Sequence, residues 1–186
     1  MPDEGILFED AAQWEAWLAE YHGTPGGAWL RIAKRGAGAA SVTIEEALDV
    51  ALCYGWIDGQ RRSFDGTHYL QKYTRRRPRS SWSRVNVGKA ESLIAAGRMR
   101  PPGFAEIEAA KADGRWQAAY DSQKESTVPP DLEAALAAND RARTAFEALD
   151  KTRRYAVILP LLKARTPEGR AARVHRAVTE LANGTV

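Results

Sequence analysis

Two stretches of this chain hold residue types that could bind a ligand: Gly55-Trp-Ile-Asp-Gly59 and Tyr73-Thr-Arg-Arg-Arg-Pro-Arg-Ser-Ser-Trp-Ser83. Glycine permits tight turns and the close approach of a bound group. Asp58 could accept hydrogen bonds from Arg61, Arg62 or a backbone turn. Trp56 and Trp82 could offer flat faces, on which guanidinium groups stack well. Lys72, Arg75, Arg77 and Arg79 add cations. Ser81 or Ser83 could cap a following helix, whose free N–H groups would suit a phosphate, sulfate or carboxylate. From Arg61 to Arg84 eight Lys or Arg face the single acid Asp65, a balance of +7 in a chain of net charge +3, so the rest sums to −4. Positive charge concentrated in one segment biases that surface toward anions. The expected ligand-binding set is Trp56, Asp58, Arg61, Arg62, Lys72, Arg75, Arg77, Arg79, Trp82 and Ser83. The competing reading is structural: Trp56 fills a core, Asp58 fixes a hairpin, and the arginines are a solvated surface.

Other chemistry finds little support. The chain has no glycine-rich phosphate loop of the Walker or dinucleotide type. His22, His68 and His175 lie far apart, without metal-ligand spacing. Cys53, the single cysteine, sits among apolar neighbours and reads as a core thiol rather than a nucleophile. Ser80, Ser81 and Ser83 lack the Gly-x-Ser-x-Gly context. The acid pairs Glu45/Glu46 and Glu106/Glu108 read as solvated helix faces. Neither a metal nor a cofactor is expected.

The elements that must position the basic segment are legible from periodicity. Trp14, Trp17, Leu18 and Tyr21 fall on one face of a helix over about 10–21. In 28–35, Trp29, Arg31, Ala33 and Arg35 alternate with Leu30, Ile32 and Lys34, which predicts a strand. Thr43 with Glu46 is a capping box opening a helix through Tyr54, and Gly55 stops it. Strands over 56–63 and 67–74, joined at Phe64-Asp65-Gly66, form a hairpin. A helix comes next, to about Ala96. Beyond Pro101 only helices are predicted, over 102–112, 130–138, 140–150, 152–165 and 167–183, with Pro160 expected to kink or split the one containing it. The fold class is α+β and mostly helical. It has a small antiparallel sheet of about three strands in an N-terminal unit over 1–100 and an all-helical C-terminal unit over 101–186. The leucines and aromatics between Leu132 and Leu162 suffice for a small core, closed within one chain or completed in a homodimer.

The motifs resemble those of the YdeI/OmpD-associated family, also called OmdA or bacteriocin-protection proteins. The resemblance rests on Gly-Trp-Ile-Asp-Gly at 55–59, the stretch from Tyr73 to Ser83, and Asn86-Val-Gly-Lys89. It continues through "GFAEIEAAKADGRWQAAYD" and "VPPDLEAALAAND". The C-terminal run departs from the pattern: at Lys163 to Arg173, Gly169 stands where threonine is usual. The resemblance implies a small bacterial protein with no assigned reaction, linked by name to envelope stress, antimicrobial peptides and an outer-membrane porin.

Three functions therefore compete. The favoured one is a non-enzymatic stress-response or binding protein whose Arg/Trp-rich surface holds an anionic small molecule or an acidic protein. A single-stranded nucleic-acid binder is the second, since Phe64, Tyr69, Tyr73 and Trp82 interleave with arginines. The third is an enzyme on an anionic substrate, with Asp58 as base and Arg75, Arg77 or Arg79 as clamp. The N-terminus lacks the basic start and apolar run of a signal peptide, and no stretch reaches the length of a membrane span. The expected location is cytoplasmic.

Overall fold

The computed structural model describes residues 4–185. Its elements are β1 (Ile6–Leu7), α1 (Ala11–Tyr21), β2 (Ala28–Ala33), α2 (Ile44–Cys53), β3 (Trp56–Ser63), β4 (His68–Arg75), α3 (Arg84–Ala95), α4 (Pro101–Ala112), α5 (Pro130–Ala137), α6 (Asp140–Ala148), α7 (Lys151–Leu162) and α8 (Pro167–Asn183). The class is α+β, with the sheet in the N-terminal half and helices after it. Two compact units divide the chain: residues 1–82 with 86–119, and residues 83–85 with 120–186.

In the first unit the sheet runs β1-β2-β4-β3. Two expectations are corrected here. The sheet has four strands, not three, and it is mixed, because β1 pairs with β2 in parallel while the other pairs are antiparallel. β1 is two residues long, too short for any alternation to reveal it. β2 buries Ala28, Leu30 and Ile32 and turns Trp29, Arg31 and Ala33 to the other face. The buried face meets Trp14 and Leu18 of α1, Val50 and Ala51 of α2, and Trp56 and Tyr73 in one core.

The local signals hold. Asp10 caps α1 by accepting from the Gln13 N–H, and Thr43 and Glu46 form both halves of the capping box on α2. Gly55 ends that helix at φ +70°, a region that disfavours side chains, and a Cβ there would meet the Pro102 carbonyl oxygen at 2.9 Å. In α4, a Cβ on Gly103 would lie 2.3 Å from the Cys53 oxygen, so glycine is what lets α4 approach the end of α2.

The hairpin turn is held by Asp65. Its Oδ1 accepts from the Thr67 and His68 N–H groups, both at 2.7 Å. These two backbone bonds, the Thr67 one first, bring its pKa down from the ordinary carboxylate range to about 2. The folded state thus favours the carboxylate form. Its contribution is complete above the unfolded-state pKa, near 4, and is lost as pH falls through about 2. Protection of the Thr67 and His68 amides, measured relative to their intrinsic exchange rate, should fall across that window in the native protein. Asp65→Ala should exchange fast at every pH; unchanged protection in that variant would refute the assignment.

The second unit is helical. Its core gathers Leu132, Leu136, Phe146, Ile158, Leu161 and Leu181 from α5 to α8. Asn139, Asp150 and Thr166 each cap the helix that begins after them. Arg170 grips Asp131 with two hydrogen bonds, at 2.5 and 2.9 Å. Of the expected kink or split at Pro160, the split does not occur: α7 runs through it and ends two residues later. So near the C-terminal end, little helix remains beyond the proline to be disrupted.

Candidate anion-binding surface

The hairpin scatters the predicted residues by strand alternation and burial. Trp56 is fully buried, and its Nε1 donates to the His22 oxygen at 2.8 Å. Trp82 is 1% exposed, with the Arg76 guanidinium 3.6 Å above its ring and Trp116 at 4.9 Å. Neither indole offers a free face. Asp58 is exposed on β3, an edge strand, and no cation comes within 4 Å of it among the described residues, so the expected pairing with Arg61 or Arg62 is not formed.

A β-bulge between Asp58 and Arg61 decides which way the two hairpin arginines point. Buried Gln71 bridges it: Nε2 donates to the carbonyls of Gly59 at 3.0 Å and Gln60 at 3.3 Å. Its Oε1 accepts from Arg61 Nε at 2.9 Å, and the Arg61 guanidinium lies 4.6 Å from the Tyr69 ring. Arg61 therefore faces the helix side of the sheet, whereas its neighbour Arg62 faces the other.

That other face gathers cations. Arg31 on β2, Leu70 on β4 and Arg62 on β3 lie in one cross-strand row, and Trp29 pairs with Lys72 in the next. The Arg62 guanidinium sits 4.6 Å and the Lys72 ammonium 5.6 Å from the Trp29 ring. Arg31 sits 4.9 Å from the ring of Phe64. The Gly5 backbone overlies Leu70, and its carbonyl accepts from Arg31. Trp29, Arg31 and Phe64 were not among the residues predicted for the site.

The remaining arginines lie at the end of β4 (Arg75) and on the loop after it (Arg77 and Arg79). Arg75, Arg77 and Arg79 are exposed, and Arg79 has φ +66°, an uncommon conformation for a non-glycine residue. Two buried arginines hold this loop from within. Arg76, 4% exposed, donates to the Ser81 carbonyl at 3.2 Å. Arg115, 6% exposed, donates to the Ser80 carbonyl at 3.0 Å while pairing with Asp113 at 2.7 Å and Glu106 at 3.2 Å. Ser83 belongs to the second unit, where it forms a β-bridge with Tyr120.

Ion pairs engage other cations of the chain. Arg84, Arg100, Arg115, Arg143 and Arg170 each have a carboxylate partner. Among the described residues, no carboxylate lies within 4 Å of Arg31, Arg61, Arg62, Lys72, Arg75, Arg77 or Arg79. Within the same residues, no three His, Cys, Asp or Glu side chains converge as a metal site, and no helix is long and apolar enough to cross a membrane. Cys53 is buried, which pushes its thiol pKa up to about 11 and keeps it protonated.

Two family models match the chain. One, described as Domain of unknown function (DUF8412), covers residues 6–106. The other, described as Bacteriocin-protection, YdeI or OmpD-Associated (OmdA), covers residues 125–184. The resemblance read from the sequence is thus borne out over the C-terminal part, whereas its motifs between Gly55 and Lys89 fall in the first match. Neither a curated protein nor a solved structure matches.

Proposed function

We propose that this chain, which belongs to the DUF8412 family, is a non-enzymatic binding protein that docks an acidic partner on the outer face of its sheet. The observation that carries this reading is the placement of Arg31, Lys72 and Arg62 on three adjacent strands with no carboxylate within 4 Å among the described residues. Adjacent strands stand about 4.8 Å apart, so the three charges form an array rather than a single site. Unpaired cations on a half-apolar surface favour an anionic surface, chiefly through association rate and register.

The nucleic-acid reading is weaker because the aromatic faces are occupied. Arg62 and Lys72 lie over Trp29, Arg31 over Phe64, and Arg61 over Tyr69. A base would have to displace a guanidinium to stack there. The catalytic reading has only Asp58, exposed and apart from any cation among the described residues. Bacteriocin protection belongs to the name of the family matched at residues 125–184. Antimicrobial peptides are typically rich in Lys and Arg, and this face would repel them. A stress-response role would therefore run through an acidic partner.

The test is a salt titration with a poly-glutamate peptide, single-stranded oligo-dT and inorganic phosphate. The peptide should bind at low salt, and its affinity should fall as salt rises. Arg31→Gln/Arg62→Gln/Lys72→Gln should weaken it by at least about tenfold, the scale of a few partly screened charge contacts. Tighter binding of oligo-dT would transfer the reading to nucleic acid. No binding of any polyanion at low salt would end it.

A further inference from the structure

The first unit also holds a cavity of about 440 Å³ at the end of β2 and the start of α2, away from the outer sheet face. Its size falls in the range of small-molecule sites. Ile32, Ala39 and Ile44 supply apolar wall, and Lys34, Arg35 and Tyr69 supply the polar part. Glu45 is the carboxylate on the lining, so two cations stand against one acid.

Tyr69 is the group that makes this more than a surface dent. Its ring is backed by Arg61, which Gln71 holds in place, and Gln71 in turn is tied to the bulge carbonyls. The chain of contacts gives Tyr69 a fixed position on the wall. Among the described residues its hydroxyl makes no hydrogen bond, and Arg35 has no acid partner. Burial raises the Tyr69 pKa, so near neutral pH the phenol stays a donor.

We propose that this cavity binds a small carboxylate with a flat apolar body. The body lies against Ala39 and Ile44, and the carboxylate receives the Tyr69 O–H and the Arg35 guanidinium. This site is distinct from the sheet face, and neither proposal depends on the other. An apolar wall with a few convergent polar groups has the composition of small-ligand sites, and a charged acceptor strengthens each hydrogen bond.

Calorimetric titration with 3-phenylpropionate and with 3-phenylpropylamine tests it. The carboxylate should bind at millimolar concentration and the amine should not. Tyr69→Phe should weaken carboxylate binding several-fold and Arg35→Gln about tenfold, consistent with one neutral and one charged hydrogen bond. Arg62→Gln, on the opposite sheet face, should leave it unchanged. Ile44→Trp, which fills the cavity and leaves both donor residues in the sequence, should also abolish binding, with the circular dichroism spectrum retained. Equal binding of amine and carboxylate, no binding of either, or a full response in the Tyr69 and Arg35 variants would overturn the proposal.

Discussion

Replacing Trp56 by alanine will lower the stability of the first unit by about 3–5 kcal/mol, the range for removing a buried indole. The ring is fully buried, 6.2 Å from Trp14 and 6.0 Å from Trp17, edge-on to both. Such aromatic pairs add to the burial energy itself. The substitution also leaves the His22 carbonyl without the donor it has at 2.8 Å. Gly55, at its left-handed φ, fixes where the strand begins, so the backbone has little freedom to close the void. Trp56→Phe separates the two effects. It keeps most of the packing and loses the hydrogen bond, so it should cost about 1–3 kcal/mol. Urea unfolding of both variants measures this. A loss under about 1 kcal/mol for alanine would mean that Trp56 is not the keystone its burial implies.

Arg115→Met is the second large effect, and it reaches the basic loop. The guanidinium pairs with two carboxylates and donates to the Ser80 carbonyl, with a side chain only 5% exposed. Breaking a buried charge network by removing one partner costs about 3–5 kcal/mol. Glu106 and Asp113 keep 20% and 37% of their surface in water, so solvent screens part of this and about 2–3 kcal/mol is expected. The local consequence is sharper. Without the donor to Ser80, the segment from Arg77 to Ser81 keeps the Arg76 contact to Ser81 and the turn bond from the Ser80 N–H to the Arg77 carbonyl at 3.0 Å; that turn loosens, and amide exchange at Ser80 should rise beyond the global change. Arg115→Lys keeps the charge but not the planar fork, so it should recover only part of the stability. Equal protection at Ser80 in wild type and variant would show that the loop is held by other means.

The sequence yielded most of the elements because their signals are local. Thr43 and Glu46 announce a helix start, and the alternation in 28–33 announces a strand with one buried face. Residues Trp29 and Arg31 could be read as sharing the polar face, yet they did not enter the predicted site. The pairing of β2 with β4 and of β4 with β3 brings them to Lys72 and Arg62, a non-local fact that no window of sequence contains. The run Arg75-Arg76-Arg77 illustrates a second limit. Composition treats the three as equal, but only Arg76 turns inward, onto Trp82. Arg115 lies inside the stretch "GFAEIEAAKADGRWQAAYD", but its contact with the Ser80 carbonyl, 35 residues away, is not marked by its neighbours in sequence. The bulge was invisible for the same reason: whether Gly59 and Gln60 are accommodated depends on Gln71, across the hairpin.

The bulge and the short first strand together have a consequence for growth of the sheet. A flat, half-apolar, aromatic face on an open sheet is the kind of surface that invites strands of other molecules to add at its borders. One border here is β1, two residues long and too short to template a ladder. The other is β3, whose register is broken between Asp58 and Arg61 and whose exposed residues include two arginines. Like charges stacked at strand spacing repel. The molecule can thus keep a sticky face open to a partner while both borders of the sheet refuse the cross-β stacking that leads to fibres.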